Sequence, residues 1–253
     1  MMLRMQADTN KVWQRYGERD PFFGVLANAR YRCDEMDADR RAEFYASGRN
    51  DVAELTARLD RLAPDRPRGT LVDFGCGVGR CLVALAQQYD GVIGVDVSEG
   101  MIAEAKKSLE ENKIGNARFA RSLDELTPPV DLIHSHYVLQ HIDANHGRTL
   151  IARMWELVGP GGVLAVQFPI TARRPLRAKL KEAVKRWLPS AVRAANLLRK
   201  GHADPPMHMH CYDLGAVAAD LSVRGCAEIH LIRSDPDTEH LGMFLFARKD
   251  SAG

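Results

Sequence analysis

No apolar run in the 253 residues approaches the roughly 20 that a membrane-spanning helix needs. The opening stretch, MMLRMQADTNKVW, is too polar for a secretory leader, so a cytoplasmic protein is expected. Cysteine is scarce. The five present (Cys33, Cys76, Cys81, Cys211 and Cys226) are odd in number and show no C-x-x-C spacing. That excludes a disulfide framework and favours reduced thiols. Excess charge of one sign is also missing. The formal net charge is +2, so the balance alone does not call for nucleic acid. There is no internal repeat and no low-complexity tract, which excludes solenoids and long disordered arms. What remains is ordinary for a globular chain, 45% hydrophobic and 27% charged. The length suffices for one large α/β domain with a sizeable core.

Strand and helix signals alternate from residue 70 onward. Residues 1–63 are polar and helical, with Val52, Leu55, Leu59 and Leu62 spaced three and four apart. Two prolines punctuate a linker, PDRPRG, over 64–69. TLVDFGC (70–76) then reads as a strand and GRCLVALAQQY (79–89) as a helix. GVIGVDV (91–97) is a strand, and Ser98 caps a helix to about Glu111. ARFA (117–120) and VDLIHSHY (130–137) are strands, followed by a helix over about 147–158 and the strand GGVLAVQF (161–168). A basic helical stretch fills about 172–200. A helix over 213–223 and the strands EIHLIR (228–233) and GMFLFARK (242–249) close the chain. The pattern predicts a mostly parallel sheet with an antiparallel end.

In such a sheet, ligands bind beyond the carboxyl ends of the strands. The segment LVDFGCGVGR (71–80) sits there, and a glycine loop of this kind lets a nucleotide approach the backbone. Two acids choose between nucleotides. Asp73 lies two residues before the first glycine, where the anionic pyrophosphate of a dinucleotide would be repelled. S-adenosylmethionine (SAM) has no phosphate and carries a cationic amine and sulfonium, so an acid is compatible with it. The plainer reading of Asp73 is a carboxylate that only braces the turn. Asp96 ends the next strand, where a carboxylate can accept from both ribose hydroxyls.

LVDFGCGVGR, GVIGVDVSEGMI, VDLIHSHYVLQHI and LVGPGGVLAVQF, in that order, resemble the motifs of class I SAM-dependent methyltransferases. The resemblance covers about residues 70–170 and implies a Rossmann-like α/β fold. Its sheet would have seven strands, mostly parallel, with one of them antiparallel. A helical N-terminal lid (1–69) would precede a SAM-binding domain (70–253) with a helical insertion at about 171–210. It implies that Asp73, Gly75, Gly77 and Gly79 line the methionine part of SAM, that Cys76 is a cofactor-binding candidate, and that Asp96 holds the ribose. Val97 and Met101 would flank the adenine, and Ser122 and Leu123 would lie at its edge. Many family members carry an acid where Leu123 aligns, and Asp124 is next door. Tyr16, Gly48 and Ser135 are further cofactor candidates, with Tyr45 and Ser47 beside Gly48. Trp13, Tyr16, Phe22 and Phe23 are expected near the entrance of a lid, or equally in core packing.

SAM brings the methyl group and leaves as S-adenosylhomocysteine (SAH), so the protein must position a nucleophile and supply any base. His141, just past the fourth strand, is the candidate base, and the resembling subfamily often has histidine there; its plainer reading is packing. His134 and His136 alternate onto one strand face and read as wall residues, with Ser135 opposite. A metal is the rival role for H-x-H at His134/His136 and His208/His210, but no carboxylate cluster accompanies either pair, and none is expected. The segment 171–200 carries ten Lys/Arg and one Glu on an amphipathic pattern. It reads as a solvated helix pair, as a site for an anionic acceptor, or as a peripheral membrane contact reaching a lipid-linked acceptor. HSHY stands where amino-methylating DNA enzymes carry [DNS]-P-P-aromatic, so no nucleic acid is expected. The W-x-x-x-G lid, VLQHI and PPMHMHCYD loosely resemble bacterial enzymes that methylate oxygen on sugars or secondary metabolites. The expectation is O-methylation of a small molecule or sugar, phosphorylated, nucleotide-linked or lipid-linked acceptors included. An N-methyltransferase and a SAM-binding regulator or scaffold without turnover stay open, and a homodimer is compatible.

Overall fold

The computed structural model describes residues 2–172, 204–205 and 207–251. The basic stretch expected to form helices therefore lies outside the described residues, apart from its first two. Three helices precede the sheet: α1 (Met2–Arg19), α2 (Pro21–Leu26) and α3 (Ala38–Leu62). Pro21 opens α2, where its missing N–H has no helical partner to lose. Asp37 caps α3 by accepting from the Arg40 N–H at 2.8 Å. The apolar stripe Val52, Leu55 and Leu59 is buried in one core cluster with Leu71 and Leu132 of the sheet.

The sheet has seven strands: β1 (Thr70–Phe74), β2 (Gly91–Val95), β3 (Ala117–Ala120), β4 (Val130–Ser135), β5 (Val158–Ala172), β6 (Ile229–Arg233) and β7 (His240–Arg248). Their order is β3-β2-β1-β4-β5-β7-β6. β1 to β5 run parallel, and β7 is antiparallel to both β5 and β6, as the motifs implied. The chain winds outward from β1 to β3 and then crosses back to β4, so the strand order reverses between β1 and β4. That crevice is where an open α/β sheet takes its ligand.

Helices cover both faces, which is why the strands read as near-continuous apolar runs. Leu71, Leu132, Ala165 and Phe244 face the cluster that includes α3 and the short α4 (Leu82–Leu85). Val72, Ile133, Leu164 and Leu245 face α6 (Ala144–Leu157) and α7 (Leu214–Val223). α5 (Glu99–Glu111) begins at Ser98, whose hydroxyl accepts from the Met101 N–H. Among the described residues no helix is long and apolar enough to cross a membrane. All five cysteines are free thiols.

Two elements differ from the pattern reading. The helix expected over 79–89 contracts to Leu82–Leu85, because beyond it the hydrogen bonds tighten to three-residue turns, Gln87 to Ala84 and Gln88 to Leu85. The strand expected over 161–168 extends to Ala172, since β7 pairs with it as far as His240.

Candidate functional site

A cavity of about 350 Å³ opens at the β1/β4 crevice. One wall is the loop after β1. The N–H groups of Gly75 and Cys76 both donate to Val95 O at the end of β2, at 2.7 and 3.1 Å, which folds the loop back over the sheet edge. Gly75 has φ +76°, and a Cβ there would lie 2.3 Å from Val138 Cγ2. Gly77 has φ +52°, and a Cβ there would meet Val25 Cγ2 at 2.8 Å. Both positions combine a left-handed backbone with a close neighbour, so glycine is required twice over.

Asp96 lies just beyond β2. Its Oδ2 accepts from the Gly77 N–H at 3.0 Å and its Oδ1 from the Ser98 N–H at 2.9 Å. Each oxygen keeps a second lone pair for a ligand. Burial pushes the Asp96 pKa up to about 6, against the opposing pull of those two N–H donors. A carboxylate held this way at a strand end suits the vicinal hydroxyls of a ribose. Val97, Ser122, Leu123 and Asp124 continue the wall.

The opposite wall comes from β4 and the turn beyond its carboxyl end. His134 Nδ1 lies 2.8 Å from Asp73 Oδ1, and both side chains are buried. His136 lies on the same face. Its ring stacks on Tyr137 at 3.9 Å, its Nδ1 is 3.7 Å from Asp51 Oδ2, and its buried Nε2 has no hydrogen-bond partner among the described residues. Burial, with the nearby His134 and Arg80, holds His136 well below the usual imidazole range. Tyr137 has φ +62°, strained for an aromatic residue, and its N–H donates to Gln167 Oε1. Asp51 also takes Arg80 Nη1 at 2.7 Å, with the Arg80 side chain 5% exposed.

His141 sits in the 3₁₀ turn after β4, with Trp13 edge-on at 5.0 Å. Its Nδ1–H donates to His208 O at 3.0 Å, which leaves Nε2 to accept from Gln140 Nε2, also at 3.0 Å. Burial pushes its pKa down to about 4, partly offset by the bond to His208 O. Residues 204–205 and 207–212 form a strap that closes this side. His210 N–H donates to Gln140 O, and Tyr212 Oη lies within 2.8 Å of Leu139 O. At its other end Arg32 grips Asp204 and Asp20, and Tyr16 Oη donates to Pro205 O at 2.7 Å.

The cavity thus brings together Asp73, Gly75, Cys76, Gly77, Asp96, Val97, Ser122, Leu123 and His141. It does not include five other candidates. Tyr16 is in the core and bonded to the strap. Gly48 packs against Arg80, whose carbonyl oxygen a Cβ would meet at 2.0 Å. Gly79 faces Ala105 of α5, and Met101 is buried beneath Gly24. Ser135 points to the other sheet face, where its hydroxyl donates to Phe74 O. Tyr45 bonds Val78 O and Ser47 bonds Phe44 O, so neither reaches in. Of the entrance aromatics only Trp13 lines the cavity. Arg80, Val138, His146 and Arg153 line it without having been anticipated, and only Arg80 and Val138 lie within a motif. Among the described residues no three His, Cys, Asp or Glu converge as metal ligands.

Residues 71–162 match the family model of a methyltransferase domain. This stretch is similar to that domain. It holds β1 through the start of β5, including the glycine loop, Asp96 and the three β4-side histidines. The chain is 41% identical over 123 residues to a trans-aconitate 2-methyltransferase of Deinococcus radiodurans, covering 47% of this chain and 45% of that protein. A trans-aconitate 2-methyltransferase of Variovorax paradoxus is 33% identical over 168 residues, 66% of this chain and 61% of that one. The chain spans about half the length of the first of these curated relatives. Among solved structures, magnesium protoporphyrin IX methyltransferase from Synechocystis PCC 6803, with bound SAH, superposes with a TM-score of 0.62 at 20% identity. It covers 97% of this chain and 100% of that chain. Haemonchus contortus phosphoethanolamine N-methyltransferase 2 gives 0.58 at 18%, covering 79% and 53%. At these identities the likeness is one of fold.

Proposed function

We propose that this chain is a SAM-dependent O-methyltransferase that acts on the carboxylate of a small molecule. The observation that carries the cofactor is Asp96. It braces the glycine loop with one N–H bond and the start of α5 with another, and its remaining lone pairs face the same cavity as Asp73 and Gly75. SAM, when bound, supplies a methyl group on a cationic sulfur. Asp96 would hold the ribose hydroxyls, and Val97, Ser122 and Leu123 the adenine. Trp13 and the strap of residues 204–205 and 207–212 would shield the reaction from water.

The choice of acceptor rests on the weakness of the bases in the opposite wall. A hydroxyl must lose a proton, and a general base works best with a pKa near the working pH. His141, at about 4, is too weak a base for that task, and both its nitrogens are engaged. His136 is likewise held well below the usual imidazole range by burial. A carboxylate is already ionised at neutral pH and needs no base. The relatives named trans-aconitate 2-methyltransferase support the same class.

Calorimetry with SAH and NAD tests the cofactor. SAH should bind in the micromolar range and NAD should not, and Asp96→Ala should weaken SAH by roughly 1–3 kcal/mol as the hydroxyls lose a charged acceptor. SAH release in a panel of carboxylic acids, trans-aconitate first, against sugars and phenols tests the acceptor. With a carboxylate, His141→Ala should lower turnover less than about tenfold; a hydroxyl acceptor dependent on that base would lose roughly 10²-fold. Turnover confined to hydroxyl acceptors with the larger loss would overturn the carboxylate reading and restore His141 as base.

A further inference from the structure

The pair His134–Asp73 has a feature that the proposed reaction does not use. β1 and β4 are parallel neighbours, and Asp73 stands directly opposite His134 in their register. Opposed residues on adjacent parallel strands project to the same face, so the two side chains meet at the floor of the cavity. Asp73 Oδ1 and His134 Nδ1 are 2.8 Å apart. Two acceptors cannot bond each other, so Nδ1 carries the proton and donates it to the carboxylate. Asp73 is 4% exposed and His134 2% exposed. The imidazole cannot swing away either. Its ring stacks on Phe244 with centroids 6.2 Å apart and meets the His136 ring edge-on at 6.2 Å. Asp73 Oδ2, by contrast, has no protein partner among the described residues, although the residue lines the cavity. A buried carboxylate with one oxygen fixed and the other left to the cavity is oriented for a ligand cation.

We propose that His134 is a positioning residue: it locks the Asp73 carboxylate so that its second oxygen receives the ammonium of the cofactor's amino-acid end. This rests on the SAM reading and deepens it. His134 touches no reacting atom. It acts through Asp73, at the end of the ligand furthest from the ribose that Asp96 would hold. The proposal separates His134 from a wall residue that merely fills space.

Two adenosine ligands make the test. SAH carries the amino-acid end, and 5′-methylthioadenosine keeps the adenine, ribose and sulfur but lacks it. Calorimetry is run with both on the parent, His134→Phe, His134→Asn and Asp73→Asn. In His134→Phe, SAH affinity should fall tenfold or more while methylthioadenosine affinity stays within about twofold. His134→Asn, whose amide N–H can replace Nδ1–H, should recover most of the SAH affinity. Asp73→Asn should show the same selective loss of SAH. If His134→Phe does not fold, the Asp73→Asn and His134→Asn ratios still decide. Equal weakening of both ligands, or unchanged SAH affinity in His134→Phe and Asp73→Asn, would overturn the positioning role. A parent protein that binds neither ligand would instead overturn the SAM reading itself.

Discussion

The glycine-loop wall of the cavity is held by bonds between residues close in the chain, whereas the histidine wall is held across most of its length. On the first wall, Gly77 N–H reaches Asp96 over 19 residues and Ser98 N–H reaches it over two. On the second, His141 meets His208 O over 67 residues, and at the far end of the strap Tyr16 meets Pro205 O over 189. The first wall is a property of one βαβ unit. The second exists only when the N-terminal helices, β4 and the strap have all docked. The shared domain match, 71–162, contains the whole first wall and only part of the second. Under the proposed function, cofactor binding falls to the wall inside that match and acceptor binding to the wall built partly outside it.

The sharpest way to break this contrast is at Gly75. In Gly75→Ala the new Cβ would meet Val138 at a strained φ, and relieving both should cost about 1–3 kcal/mol before any ligand is considered. SAH affinity should fall roughly 10²-fold or more, because the same loop must contact the ligand. Calorimetry showing SAH binding within about threefold of the parent would mean that the loop does not form the wall.

A second measurement uses pH. Burial raises Asp96 to about 6, so its carboxylate is neutral in the folded, ligand-free protein below that value. The stabilising contribution of a raised group is present at low pH and is lost as pH rises through the folded value. The melting temperature of Asp96→Asn relative to the parent should thus be higher at pH 7.5 than at pH 4.5. SAH affinity should move the other way, weakening in the parent as pH falls below about 6 and staying flat in Asp96→Asn. A parent affinity that is constant from pH 7.5 to 5 would detach Asp96 from the ligand.

The smallest effect is expected on the long-range wall. Arg32 is 8% exposed, bonds both Asp20 and Asp204, and lies over the Phe23 ring at 3.8 Å. Arg32→Ala leaves two carboxylates without their cation and should cost about 1–3 kcal/mol of stability. The acceptor Michaelis constant should rise several-fold as the strap loosens, with SAH affinity within about twofold. A matching loss of SAH affinity would show that the two walls are not independent.

The two walls were not equally legible. Asp73, Gly75, Gly77 and Asp96 could be read because loop geometry, strand ends and spacing act over a few residues. Helix α3 and the strands were readable for the same reason, through periodicity. Met101 and Ser135 sat inside the motifs but turn away from the cavity, since which side of an element faces the ligand depends on what packs against it. Arg80 carried no sign that its partner would be Asp51, and His141 none that its Nδ1 would be taken by a backbone carbonyl 67 residues away.

The amino-acid sequence by itself determined the α/β alternation, the seven strands and the loop with its two acids. Each arises from local conformational preference and from burial on both faces of a sheet. Tertiary structure decided the chemistry of the three histidines. β1/β4 register set His134 against Asp73, packing left His136 Nε2 buried without a partner among the described residues, and the strap took His141 Nδ1. Protonation and hydrogen bonding of an imidazole depend on burial and on partners brought from distant chain positions, and those exist only once the sheet has closed around its helices.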